Sequence, residues 1–168
     1  IEVINNPEYS DFDFVINIQG DEPLIDIKSI NLLANNYREE KSEIVTLKKA
    51  FRKDEDVSNP NTVKVITDFN CNAIYFSRSV IPYERNPIGD YKYYKHIGIY
   101  GYTSNFLNEL KNLKEGVLEK IESLEQLRFI ENGYKIKVLE TDSEVIGVDT
   151  EEDLTEVIEY VKKKGITL

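Results

Sequence analysis

FVINIQGDEP, residues 14–23, carries the strongest structural signal in this chain. Its β-rich apolar run predicts a largely buried strand over residues 12–19, which Gly20 and Pro23 bring to an end. Asp26 then has the character of a helix cap, and the apolar residues after it recur at spacings of three and four. They are Ile27, Ile30, Leu33, Ala34 and Tyr37. The stretch therefore predicts a strand, an acidic turn and a helix.

The rest of the chain continues this alternation of strands and helices. Further strands are predicted over residues 44–51, 95–102, 135–141 and 144–148, a hairpin over 63–67 and 73–76, and helices over 105–113 and 118–132. A last helix begins at the capping-box-like Thr150-Glu-Glu-Asp153 and ends before Gly165. Its predicted apolar stripe is Leu154, Val157, Ile158 and Val161. The pattern predicts one α/β domain over residues 1–168, with a mixed sheet.

The composition argues against several classes of protein. The 31 acidic residues outnumber the 21 basic ones, and the net charge of −10 has the wrong sign for binding nucleic acid or anionic membranes. The apolar runs fall far short of the roughly 20 residues of a membrane helix. A lone Cys71 and a lone His96 exclude a disulfide, a cysteine zinc cage and a His-x-x-x-His metal helix. We expect a soluble, cytoplasmic protein without nucleic-acid or membrane partners.

Two aspartates follow predicted strands. Asp21 comes after residues 12–19 and Asp149 after residues 144–148, and ligand sites of open α/β folds collect at such strand ends. Carboxylate oxygens suit Mg²⁺, so the two could share one ion. The structural alternatives stay open: Asp21 could shape a turn, and Asp149 could assist the start of the last helix.

Glu125 is predicted to project into the apolar side of the helix over residues 118–132. The apolar residues of that side are Leu118, Ile121 and Phe129. A carboxylate placed there needs a partner. Arg128, three residues on, could be that partner, which would make Glu125 a structural residue.

Arg78 and His96 are further candidates. Arg78 could hold a carboxylate with two hydrogen bonds, or it could be an ordinary surface arginine. His96 lies on a predicted strand, where a hydrogen-bonded structural histidine is more common than a catalyst. The sequence contains neither a Gly-x-Ser-x-Gly elbow nor the common glycine-rich phosphate loops, so a serine triad and those loops are not indicated.

Five sequence blocks, taken together and in order, resemble one enzyme family over nearly the whole chain. They are Val15-Ile-Asn-Ile-Gln-Gly-Asp-Glu-Pro23, Tyr75-Phe-Ser-Arg78 with Ile81-Pro82, His96-Ile-Gly-Ile-Tyr-Gly-Tyr102, Leu124-Glu-Gln-Leu-Arg128 and Gly147-Val-Asp-Thr150. The family is that of the 3-deoxy-manno-octulosonate cytidylyltransferases, or CMP-Kdo synthetases. The resemblance implies a Rossmann-like nucleotide-diphospho-sugar transferase fold, with a mixed sheet and helices on both faces. It also implies Mg²⁺ as cofactor, a homodimer, and the conversion of CTP and Kdo to CMP-Kdo and pyrophosphate for lipopolysaccharide biosynthesis.

The same resemblance implies roles for individual residues. Asp21 and Asp149 resemble the magnesium ligands. The sugar-facing set would be Gln19, Arg78, His96, Tyr100, Glu125 and Gln126. Within that set Arg78 would bind the carboxylate of the sugar, Glu125 would accept hydrogen bonds from its hydroxyls, and His96 would bind rather than act as an obligatory base.

The chain departs from the family at its start. It contains no methionine and opens at Ile1, whereas family members begin with a strand and a Pro-Ala-Arg…Arg-x-Pro-Gly-Lys-Pro loop that cradles the triphosphate. We therefore expect an N-terminally truncated domain that is inactive on its own. Two alternatives stay open: a cytidylyltransferase for another 2-keto-3-deoxy sugar acid, such as 8-amino-Kdo or a sialate-like sugar, and a non-catalytic sugar-binding remnant.

Overall fold

The computed structural model describes residues 3–4, 6–9, 11–20, 24–143, 148 and 151–165. Its strands are β1 (Phe14–Asn17), β2 (Ile44–Ala50), β3 (Lys64–Thr67), β4 (Ala73–Ser77), β5 (Tyr94–Thr103) and β6 (Lys137–Glu140). Its α-helices are α1 (Ile27–Glu40), α2 (Ser104–Glu109), α3 (Val117–Glu122), α4 (Gln126–Glu131) and α5 (Glu151–Lys164). The helix predicted over residues 105–113 is formed by α2 and a 3₁₀ turn, Leu110–Asn112. The strand predicted over 144–148 falls outside the described residues, apart from Val148.

The strands form one mixed sheet in the order β4-β3-β5-β2-β6, with β1 also paired to β5. β2 and β6 are parallel, whereas the other pairs are antiparallel. The predicted hairpin is confirmed as β3 and β4, and the Asp68 carboxylate in its turn accepts hydrogen bonds from the backbone of Asn70 and Asn72. The prediction of a mixed sheet is also confirmed.

Helices cover both faces of the sheet. Neighbouring residues of β2 point to opposite faces and so belong to different cores. Ile44 belongs to a core that includes Phe106, Leu127 and Phe129 of the short helices α2 and α4. Val45 belongs to a second core with Leu33 of α1. The predicted α/β fold with helices on both faces is thus confirmed.

β1 is less buried than its apolar sequence predicts. Phe14, Val15 and Ile16 are half-buried and Asn17 is exposed. Within the described part of the chain β1 pairs only with β5, so its other edge is left uncovered there. The strand itself is confirmed, but the prediction that it is largely buried is wrong.

The helix after Asp26 is confirmed, although its buried face differs from the predicted one. The Asp26 carboxylate accepts a hydrogen bond from the Lys28 backbone N–H at 3.0 Å, as a cap should. Leu33 is fully buried, whereas Ile27 is 69% exposed. Ile27 lies in the first turn, which borders an open cavity beside Ser143 instead of packing on a strand.

The single helix predicted over residues 118–132 is wrong. Ser123 adopts a left-handed conformation with φ +53°, which ends α3 before α4 begins. The break changes the phase of the apolar pattern, so that Phe129 is buried while Ile121 is 74% exposed. Residues 117–131 therefore form two short helices instead of one continuous helix.

The last helix, α5, ends where the sequence predicts, since Gly165 follows it with φ +64°. Its start at Thr150 falls outside the described residues. Val157 is buried, whereas Leu154 and Ile158 of the predicted stripe are 48% and 44% exposed. Among the helices that the structure describes, none combines the length and the apolarity needed to cross a membrane.

Candidate functional site

An open cavity of about 460 Å³ lies where the end of β1, the middle of β5 and the junction between α3 and α4 meet. Its lining contains five of the six residues predicted to face a sugar: Gln19, His96, Tyr100, Glu125 and Gln126. A neighbouring cavity of about 510 Å³ shares Asn17, Tyr102, Glu125 and Phe129 with it. The fold thus brings together residues from three separate parts of the chain.

Strand β5 supplies one wall of this cavity through His96, Gly98, Tyr100 and Tyr102. These residues share a face because successive side chains of a strand point to opposite sides. The pairing of β5 with β2 shifts, so that Thr46 lies opposite Tyr100 while Leu47 lies opposite Ile97. β5 therefore contains a bulge at the cavity wall.

The bulge brings two predicted site residues into contact. Four residues of a regular strand span about 13 Å at 3.3 Å per residue, yet the ring centroids of His96 and Tyr100 are 5.4 Å apart. The His96 ring also packs edge-on against Phe76 at 5.0 Å. Histidine and tyrosine consequently present one combined surface to the cavity.

His96 is held as a neutral side chain. Its Nε2 lies 3.0 Å from the Thr46 hydroxyl, which is itself fully buried. Burial lowers the pKa of His96 to about 3. An imidazole that is uncharged at neutral pH can exchange hydrogen bonds with a ligand but cannot supply a positive charge.

The Tyr100 hydroxyl interacts weakly with the nearby Thr46 hydroxyl, but within the described part of the chain it forms no hydrogen bond of normal geometry. The residue is 7% exposed. Burial raises the pKa of Tyr100 well above its usual value, so the hydroxyl stays protonated and can donate. Since buried polar groups are normally paired, this hydroxyl is suited to a ligand oxygen.

The junction between α3 and α4 supplies Glu125 and Gln126. Gln126 is buried at the start of α4, whereas Glu125 is exposed at the open side of the cavity. The prediction that Glu125 lies inside one helix among Leu118, Ile121 and Phe129 is wrong, because α3 ends at Ser123 and Glu125 precedes α4. Phe129 lines the same cavities as Glu125, whereas Leu118 and Ile121 do not. The Arg128 pair considered for it is also not formed, since Arg128 binds the Glu119 carboxylate instead, with Nε at 2.7 Å.

Comparison with known proteins shows to which family this chain belongs. The sequence profile of the cytidylyltransferase family matches residues 1–136. The chain belongs to the cytidylyltransferase family. A 3-deoxy-manno-octulosonate cytidylyltransferase of Fusobacterium nucleatum is 53% identical over 160 residues, which are 95% of this chain and 65% of that protein. One from Bacteroides thetaiotaomicron is 46% identical over 163 residues, again 65% of its length.

One solved structure agrees with the membership of this chain in the cytidylyltransferase family. CMP:2-keto-3-deoxy-manno-octonic acid synthetase, solved with CTP, is 36% identical with a TM-score of 0.87, over 97% of this chain and 66% of the other. A thymidylyltransferase-like protein of Bacillus anthracis, at 18% identity and a TM-score of 0.60, shares the fold alone. The chain spans about 65% of the length of the curated relatives that it matches.

Arg78 lies outside the cavity lining of this cytidylyltransferase-family chain. Its guanidinium donates to the backbone oxygens of Glu122 at 2.8 Å, Pro60 at 3.0 Å and Ser123 at 3.5 Å. The Glu122 carboxylate in turn accepts from the Arg78 backbone N–H and from Ser77. Arg78 therefore joins β4 to the end of α3, and its predicted contact with a sugar carboxylate stays a prediction.

Asp21 and Asp149, the predicted metal ligands of this family member, both fall outside the described residues. The described residue nearest to Asp21 in sequence is Gly20, which follows Gln19 of the cavity lining. Among the described residues, no group of three or more His, Cys, Asp or Glu side chains could hold a metal ion. The shared magnesium site stays a prediction.

Sequence reasoning missed Thr46 and Glu122. A single hydroxyl inside the apolar run Ile44–Leu47 was a signal for Thr46, since a buried polar group needs a reason to be there. Glu122 gave no such sign, because one acidic residue on a short helix is ordinary. Both act through tertiary contacts that a sequence pattern does not contain.

Proposed function

We propose that the gene product carrying this sequence transfers the cytidylyl group of CTP to Kdo, forming CMP-Kdo and releasing pyrophosphate. The observation that carries this proposal is the convergence of five predicted sugar-facing residues on one polar cavity, in a member of the cytidylyltransferase family. The names of the relatives support Kdo as the acceptor. The CTP bound to a structural relative supports the nucleotide.

The side chains around the cavity suit the binding of a polyhydroxylated acid. Glu125 can accept hydrogen bonds from sugar hydroxyls, and the Gln126 amide can both donate and accept. The Tyr100 hydroxyl can donate, since it forms no hydrogen bond of normal geometry to another described residue. Held by these groups, the anomeric hydroxyl of Kdo would attack the α-phosphorus of CTP. Its proton would pass to water, and the bond from the α-phosphorus to pyrophosphate would break. Orientation alone can lower such a barrier substantially.

This reaction needs no covalent enzyme intermediate. The acceptor hydroxyl is itself the nucleophile, so the protein has to align it and stabilise the charge on the phosphates. The neutral, hydrogen-bonded His96 fits a binding role better than that of a general base. Binding and alignment are therefore the proposed contributions of the described residues.

We propose Asp21 and Asp149 as the residues that hold Mg²⁺. Their donors are carboxylate oxygens, the ligand type that Mg²⁺ prefers. When bound, the ion would neutralise phosphate charge and lower the pKa of the attacking hydroxyl. The proposal also includes a role in lipopolysaccharide biosynthesis and a homodimer, which rest on the family resemblance. It includes a cytoplasmic location, which rests on the composition and the single cysteine.

The direct test is an assay of the purified gene product with CTP, Mg²⁺ and Kdo, in which CMP-Kdo and pyrophosphate are both quantified. We expect equal amounts of the two products. Parallel reactions with 8-amino-Kdo and a sialic acid decide between acceptors. Faster turnover with one of these two sugars would identify that sugar as the acceptor instead of Kdo. Sugar binding without any CTP turnover would favour a non-catalytic module.

The metal assignment is tested by Asp21→Asn and Asp149→Asn. We expect each to lower the Mg²⁺-dependent rate by more than about a hundredfold, because an amide is a much poorer ligand for Mg²⁺ than a carboxylate. Asp54→Asn is the matched control, since Asp54 is a 77% exposed surface partner of Arg52. Rates like that of the control would remove both aspartates from the metal site.

A further inference from the structure

Thr46 makes an unusual set of contacts for a threonine inside a sheet. Its hydroxyl lies 2.8 Å from the Ile99 carbonyl, 3.1 Å from the Ile97 carbonyl and 3.0 Å from Nε2 of His96. Thr46 itself is fully buried. One hydroxyl thus serves three polar groups at the bulge of β5.

These contacts determine where the protons are. Both carbonyl oxygens can only accept, so the single hydroxyl proton of Thr46 must point to one of them. If it pointed to His96 instead, the oxygen would face two carbonyl oxygens at hydrogen-bond distance without a proton between them. The Thr46 oxygen must therefore accept a hydrogen bond from His96, which places the imidazole proton on Nε2.

The remaining ring nitrogen of His96, Nδ1, is then an acceptor. The ring lines the cavity together with Tyr100 and Tyr102 of β5 and with Glu125 beside α4. Phe76 of β4 packs against its other side and contributes no charge. Since a neutral imidazole cannot attract a carboxylate, Nδ1 is suited to a ligand group that donates, such as a hydroxyl.

We propose that Thr46 is a positioning residue, which fixes His96 as the Nε2–H tautomer so that Nδ1 accepts a hydrogen bond from a sugar hydroxyl. Thr46 does so through the bulge, where its hydroxyl satisfies a carbonyl and at the same time orients the imidazole. The identity of the ligand rests on the proposed function, whereas the tautomer does not. The two parts can therefore be tested separately.

The tautomer is measured by nitrogen-15 NMR on the labelled protein. His96 is the only histidine of these 168 residues, and a matched His96→Gln sample assigns its two ring-nitrogen signals. We expect a protonated Nε2 and an unprotonated Nδ1 in the wild type and in Thr46→Ser, which keeps the hydroxyl. Thr46→Val should show mixed tautomers. A protonated Nδ1 in the wild type would overturn the proposal, and so would an unchanged pattern in a folded Thr46→Val variant.

The ligand part is measured by adding Kdo to the same samples and by kinetics of the gene product. We expect Kdo to shift the Nδ1 resonance more than that of Nε2. Thr46→Val should raise the KM for Kdo about tenfold, the effect of losing one oriented hydrogen bond. The change in kcat should be smaller. Thr46→Ser, which keeps the hydroxyl, should have the KM of the wild type. An unchanged KM in Thr46→Val, or a Kdo-induced shift confined to Nε2, would overturn this part. A failure to turn over CTP with Kdo would contradict the proposed function, but it would leave the tautomer measurement valid.

Discussion

Tyr100 places a hydroxyl in the cavity wall at a cost in stability. The group is buried and, among the described residues, forms no hydrogen bond of normal geometry. Such a group typically costs about 1–3 kcal/mol of folding free energy. A ligand that accepts from it removes that cost, so the same atom weakens the free protein and strengthens the complex.

The substitution Tyr100→Phe should therefore act in opposite directions on folding and binding. We expect the free energy of unfolding to stay equal or to rise by about 1 kcal/mol, and the KM for Kdo to rise about tenfold. Urea unfolding and steady-state kinetics measure the two effects. Tyr37→Phe is the control, because Tyr37 stacks on Phe14 away from the cavity lining. A clear loss of stability with an unchanged KM would show that the hydroxyl has a structural role only.

His96 makes folding dependent on pH. Its pKa is about 3 in the native protein but about 6.5 when unfolded, so below pH ~6.5 the unfolded state binds a proton that the native state does not. Native stability therefore falls as the pH falls, by up to about 1.4 kcal/mol per pH unit until the native pKa is reached. Urea unfolding of the wild type and of His96→Gln between pH ~5 and ~6.5 should show a steeper fall in the wild type, since the carboxyls contribute to both curves. Parallel curves would mean that His96 titrates normally in the native state.

At the scale of elements, the junction between α3 and α4 forms the cavity edge. The last backbone oxygens of a helix lack partners within it, and Arg78 donates to those of Glu122 and Ser123. This tertiary cap allows α3 to end at a left-handed serine. The sequence could not predict it, because the apolar period from Leu118 to Phe129 continues through the break.

Arg78 consequently has a structural role that can be separated from a sugar-binding one. We expect Arg78→Ala to lower the free energy of unfolding by about 1–2 kcal/mol, since several hydrogen bonds to backbone oxygens are lost. Arg38→Ala is the control, because Arg38 is exposed on α1 and, among the described residues, its side chain makes one long hydrogen bond, at 3.5 Å to Asn35. If Arg78→Ala keeps wild-type stability while the KM for Kdo rises, the arginine acts on the sugar and not on the junction.

The order and type of most elements could be predicted because their signals are local. The alternation around Val63–Thr67, the cap at Asp26 and the terminator at Gly165 each depend on a few neighbouring residues. What could not be predicted depends on distant partners. The half-burial of β1 follows from its pairing with β5. The contact of His96 with Tyr100 follows from the bulge in β5, which lies opposite Thr46 and Leu47 of β2.

At the scale of the whole molecule, the charge of −10 opposes the approach of anionic substrates. Charges that lie more than about 8–10 Å apart are largely screened at physiological salt. Local donors such as Tyr100 and Gln126 therefore matter more to a bound sugar acid than the net charge does. Five residues of the predicted sugar-facing set line one cavity. Their contact with a sugar and the position of the metal ligands stay predictions.

The central claim is that the cavity between β1, β5 and the α3–α4 junction holds the sugar acid. A crystal structure of the gene product with Kdo and CTP tests it most directly. We expect Kdo in this cavity, with sugar oxygens at hydrogen-bond distance from Tyr100 and from Nδ1 of His96. Kdo bound elsewhere, for example in the larger cavity of about 830 Å³ beside Ser143, would contradict the account.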